Sequence, residues 1–155
     1  MQNNQGTIDI LNNLIEICKD GEEGFFKSAE ITKDLKIQAF LYQRSNEAKV
    51  GICELQSLVR DLGGVAASSS SMGGYIHRKW IDLKISIMMD DSLAILDELY
   101  RIGEIAQIAF RSALSQELSP RAVLVVLRQL DNIEKNQEKI RHLHDVTNTE
   151  GESIV

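Results

Sequence analysis

Two stretches of this chain carry the same apolar pattern at one fixed offset of 85 residues. At that offset Ile10-Leu11 falls on Ile95-Leu96, Leu14 on Leu99 and Phe25 on Phe110. The match continues with Leu41 on Val126, Ala48 on Ile133, Leu55 on Ile140 and Leu58 on Leu143. Within each stretch the apolar residues recur three and four positions apart, which is the signature of a helix with one buried face. A single offset that holds through two helices and the loop between them points to a duplicated helical hairpin. Neither hairpin can bury its stripe alone, so the two must pack face to face as a pseudo-twofold four-helix bundle.

Start and stop signals divide the pattern. The first helix is expected from an N-cap at Thr7 to about Lys33, with Ile8, Leu11, Leu14, Ile15, Cys18, Phe25, Phe26 and Ala29 on its stripe. The second runs from about Asp34 to Leu62 and stops at Gly63-Gly64. The third starts near Asp91, a capping residue, and Ser119-Pro120 opens the fourth as N-cap followed by proline at the first helical position. That fourth helix frays after His144. A flexible run at Ala66–Ser71 and the pair Gly73-Gly74 lead into a short helix over Tyr75 to Met89 inside the crossover. The expected organisation is one domain over residues 7–146 and a polar, disordered tail over 147–155.

Composition narrows the setting. A formal charge of −6 argues against a nucleic-acid grip, which needs a basic surface. No stretch approaches the roughly 20 apolar residues of a membrane span, and MQNNQGTIDI lacks the form of a signal peptide. Cys18 and Cys53 stand apart and read as reduced thiols. The expectation is a soluble, cytoplasmic protein with neither nucleic acid nor membrane as partner.

Several segments carry a family resemblance. These are Ile10-Leu11-Asn12, Cys18-Lys19-Asp20-Gly21-Glu22, Glu54-Leu55-Gln56, Leu62-Gly63-Gly64, His77-Arg78-Lys79-Trp80-Ile81-Asp82-Leu83-Lys84 and Gly103-Glu104. Over roughly residues 8 to 145 the chain resembles a bacterial ferritin-like domain family of unknown function, with His-Arg-x-Trp-x-Asp-Leu-Lys as its most specific piece. The resemblance implies an up-down-down-up bundle with a short extra helix in the long crossover, and a loose association with stress-related ferritin-like proteins. It implies no activity. Lys79 stands where the family usually has glycine, and Gln137 where it often has histidine.

Ferritin-like di-metal centres use a carboxylate from each of two helices and a Glu-x-x-His pair from each of the others. Here Glu47 is followed at that spacing by Val50, Glu54 by Ser57, Glu134 by Gln137 and Glu138 by Arg141. At about 100° per residue, Glu22 falls at the centre of the first stripe and Arg44 near the middle of the second. A lone buried carboxylate costs several kcal/mol. The expectation is therefore an interior pair of Glu22 with Arg44, surrounded by the amides of Gln107, Gln129, Asn136 and Gln137. Such an interior is a metal site replaced by a neutral hydrogen-bonded network.

Other chemistry is thin. His142 and His144 lie about 200° apart on a helix and cannot share a ligand. The serines at Ser68–Ser71 have no partner base, and the glycine pairs lack a phosphate-loop context. No catalytic set emerges. The crossover helix is apolar on two sides, with Ile76, Trp80, Leu83 and Ile87 on one and Ile81, Ile85 and Met88 on another. Ile76, Trp80, Ile81, Ile85 and Met88 are thus a candidate interface for a homodimer.

Three functions follow from these readings. The first is a non-catalytic bundle acting through protein association, with no cofactor. The second is a divergent iron or manganese protein using Glu22, Glu47, Glu54 and Glu104. The third is a small-ligand carrier with a cavity between the hairpins.

Overall fold

A computed structural model describes residues 4–70 and 74–153. The described residues are all-helical: α1 (Gln5–Ile31), α2 (Leu35–Asp61), α3 (Tyr75–Met88), α4 (Ser92–Leu114) and α5 (Pro120–Ser153). Ser71, Gly73 and the last two residues of the expected tail lie outside the described residues. The offset of 85 carries Leu35, the first residue of α2, onto Pro120, the first of α5.

Local chemistry sets the helix ends. Asp34 caps α2 by accepting from the backbone N–H groups of Lys36 and Ile37, and Asp91 caps α4 by accepting from Ala94. α2 ends in a Schellman motif, in which Gly64 N donates to Val59 O and Gly63 N to Arg60 O, with Gly63 at φ 83°. α3 ends the same way: Asp91 N donates to Ser86 O and Asp90 N to Ile87 O. Here Asp90 takes the left-handed position at φ 53°.

Three sequence expectations need correction. Thr7 does not cap α1, which starts at Gln5. Its hydroxyl instead donates to the Glu117 carbonyl at 3.3 Å, joining the start of α1 to the loop after α4. α5 does not fray after His144 but stays helical to Ser153, past the Thr147 boundary. Polar residues tolerate an exposed helix, and Thr149 donates back to the Asp145 carbonyl at 2.9 Å. The start of the crossover is held rather than free. Asn12 donates to Val65 O at 3.0 Å and accepts from Ala67 N at 2.8 Å, while Gln56 donates to Ala67 O.

α1 packs along α2, α4 along α5, and α3 lies against α4 and α1. Contacts at the helix ends tie one hairpin to the other: Ser92 Oγ at the start of α4 meets Asp34 at 3.0 Å, and Arg121 at the start of α5 meets Asp61 at 2.7 Å. The apolar interior divides into two clusters. One holds Leu11, Leu14, Leu55, Val59, Phe110 and Val126, and the other holds Phe25, Leu41, Leu83, Leu96, Leu99 and Ile140. Gly24 brings α3 close, because a Cβ there would lie 2.6 Å from the Trp80 ring.

Candidate functional site

Between the two clusters the bundle is lined by small residues. Gly21 on α1, Ala48 and Gly51 on α2, and Gly103 and Ala106 on α4 stand where larger side chains would close the core. What they leave is a pocket of about 510 Å³, within the range of small-molecule sites. All five helices contribute to its wall.

Its polarity is divided by element. The residues that line it from α1, α3 and α4, among them Phe25, Trp80, Ile102 and Phe110, carry no charge. Those from α2 and α5 include Arg44, Glu47, Glu54, Arg128, Gln129 and Lys135. Phe25 and Trp80 meet edge to face with centroids 5.0 Å apart, which fixes the apolar end.

The charges of the polar wall are not equally satisfied. Glu54 pairs with Arg128, and Asp131 with Lys135 at 3.0 Å. Glu47 accepts from Asn132, from Asn136 at 3.0 Å and from Gln43 at 2.9 Å. Arg44 is only 9% exposed, yet its guanidinium makes no hydrogen bond to another described residue. Its nearest carboxylate oxygen is Glu47 Oε2 at 3.9 Å, and it lies 4.9 Å from the centroid of the Phe25 ring. Burial pushes the Arg44 pKa down from its usual value, against the pull of Glu47 and Cys18. Burial alone would raise the Glu47 carboxyl, but the bonds from Asn132 and Asn136 and the charge of Arg44 outweigh it, so the net shift is downward. Cys18 faces the pocket, and burial pushes its thiol up to about 12, with Arg44 opposing. Cys53 is exposed.

The expected pairing of Glu22 with Arg44 does not form. The helices bring the two residues to one level, since Ser45 Oγ donates to the Glu22 carbonyl at 2.8 Å. The Glu22 side chain is nevertheless half-buried and apart, and Arg44 reaches Glu47 three residues along its own helix. Among the expected amides, Asn136 and Gln137 are buried and Gln129 is half-buried. They bond across to the neighbouring helices: Gln129 to Gly51 O at 3.2 Å, Gln137 to Tyr100 O at 2.9 Å and Asn136 to Glu47. Gly103 permits the second of these, because a Cβ there would lie 2.0 Å from Gln137 Oε1. Gln107 is half-buried and joins none of these bonds.

Sequence reasoning misses Asn132, whose amide bonds Glu47 directly. The signal was present, because Asn132 stands 85 residues after Glu47 and Gln129 the same distance after Arg44. Equivalent positions that touch lie where the two hairpins meet.

The four glutamates considered as metal ligands do not assemble. Glu104 is exposed, Glu54 is held by Arg128, Glu47 is occupied by three amides, and Glu22 stands apart. Among the described residues no group of three or more His, Cys, Asp or Glu could hold a metal ion. A guanidinium at this level would also repel a cation, so the residues present do not fit a di-metal group. On α3, Trp80 and Ile76 turn inward to the pocket, while Ile81, Ile85 and Met88 are exposed. Among the described residues no helix is long and apolar enough to cross a membrane.

The molecule is therefore an all-helical bundle with an amphipathic pocket at its middle. The family model described as Domain of unknown function (DUF2383) matches residues 6–116, and the chain belongs to that family. The match spans α1 to α4 and stops before α5, which supplies Gln129, Asn132 and Asn136. No curated protein matches the chain.

Proposed function

We propose that this chain is a non-catalytic, cytoplasmic carrier or sensor that holds one small, largely apolar molecule between its two hairpins. The observation that carries the reading is the pocket of about 510 Å³, apolar on three helices and polar on two. The pocket opens to solvent past the exposed Val50, Arg128, Asp131 and Lys135, so it is an accessible cleft of the size that small molecules occupy. The uncharged dye N-phenylnaphthylamine tests it. We expect saturable binding of one dye per chain, with the emission of Trp80, the single tryptophan, changing in step. Dye that never saturates, or saturates without moving Trp80 emission, sinks the proposal.

In this reading the bundle has the ferritin-like up-down-down-up arrangement. Supporting it, Thr7 meets Glu117, Ser92 meets Asp34 and Arg121 meets Asp61, contacts that antiparallel α1–α4 and α2–α5 pairs would make. A di-iron or di-manganese function has less support, because Arg44 occupies the level such a centre would need.

A second reading is association through α3 into a homodimer, with a role under stress. It is favoured by Ile85 at 51% and Met88 at 73% exposure beside Ile81 on one outer face. The two readings are compatible, because the inner face of α3 serves the pocket and the outer face would serve a partner.

A further inference from the structure

The pocket also specifies the charge of what it holds. We infer that its ligand is a single-chain amphiphile with a carboxylate head, the head seated on Arg44 and the apolar tail running between Phe25, Trp80, Ile102 and Phe110. This rests on the carrier reading and adds the ligand class to it.

A guanidinium carries five N–H donors in a planar fork suited to a carboxylate. Arg44 is 9% exposed and makes no hydrogen bond to another described residue, and none of its nitrogens is a fully buried, orphaned atom, so the fork faces the space of the pocket. The obvious internal partner is held off. Asn132 and Asn136 both donate to Glu47 Oε2, the same oxygen that lies 3.9 Å from Arg44, and Gln43 takes Glu47 Oε1. Three amides thus anchor Glu47, which gives Arg44 an ion pair at 3.9 Å but no hydrogen bond, and the N–H donors of the fork stay open to an incoming acid. The other cations along the pocket are already matched, Arg128 by Glu54 and Lys135 by Asp131. Opposite this wall, the lining from α1, α3 and α4 offers neither a charge nor an amide side chain. The polar groups on that side are the Cys18 thiol and the Trp80 indole N–H, which has no hydrogen-bond partner among the described residues, so an alkyl tail buries well there and a second charged end would not.

Decanoate, decanol and decyltrimethylammonium share a tail and differ at the head, and Trp80 emission reads all three on the full chain. For the unmodified chain, decanoate should bind about tenfold or more tightly than decanol, the weight of one charge-assisted hydrogen bond, with the cation weakest. In Arg44→Met the decanoate advantage should vanish while decanol still binds. If that variant does not fold, Arg44→Lys should keep part of the advantage, since it keeps the charge and loses the fork. Equal binding of decanol and decanoate by the unmodified chain overturns the inference, as does an advantage that survives in Arg44→Met or in full in Arg44→Lys. Failure of all three probes to bind would instead remove the carrier reading beneath it.

Discussion

At the scale of single residues, Arg44 and Glu47 decide what the interior can do. Glu47 has its carboxyl held below the ordinary value of 4.5, because amide hydrogen bonds and Arg44 outweigh the effect of burial. A carboxyl depressed in the folded state adds stability above its unfolded value and loses it as pH falls through the folded one. The thermal midpoint should therefore fall as the medium is taken below about pH 4.5, and Glu47→Gln should flatten that part of the fall. An acid limb with the same slope in both proteins would mean that Glu47 contributes nothing through its charge. The presence of Arg44 on the inner face was legible in the sequence, and its partner was not. Helical spacing ranks residues around one helix, but it does not say whether a long side chain reaches across to Glu22 or along to Glu47. That choice depends on the register between α1 and α2, which the Ser45 to Glu22 carbonyl bond reflects and no spacing encodes.

At the scale of elements, the ends that rest on local chemistry were readable and those that rest on tertiary contacts were not. Asp34, Gly63-Gly64, Asp91 and Ser119-Pro120 mark helix ends through their own side chains or backbone freedom. Thr7 reads as a cap, yet its hydroxyl is used by the loop after α4, a contact 110 residues away in sequence. α3 was readable as a two-sided helix, and its outer side leads to a prediction. Ile85 is 51% exposed, so Ile85→Glu should leave the thermal midpoint of the monomer within the small range of surface changes. If α3 is an association surface, sedimentation should find a concentration-dependent dimer that this substitution dissolves. A chain that stays monomeric at every concentration would leave the outer face of α3 without a role in self-association.

At the scale of the whole molecule, a bundle built from two similar hairpins need not have an open cleft at its middle. The duplication was legible as an offset, but the pocket was not, because a cavity is the space left between helices and depends on how closely they approach. The available clue was a run of small residues at one level, Gly21, Ala48, Gly51, Gly103 and Ala106, where the stripes elsewhere carry leucine and phenylalanine. If that space is kept for a ligand, filling it should exchange function for stability. Ala106 lines the pocket on its apolar side, so Ala106→Leu adds apolar volume where no charged side chain need move. The filled bundle should gain about 1 kcal/mol against chemical denaturation and lose saturable dye binding. A space that packing could close without consequence would give the gain but would have shown no binding to lose. A site already matched to its surroundings would instead give a loss of stability, since overfilling a packed core forces its neighbours out of their rotamers. Stability raised and binding abolished by the same methyl groups is the outcome that ties the small residues at mid-bundle to a bound molecule.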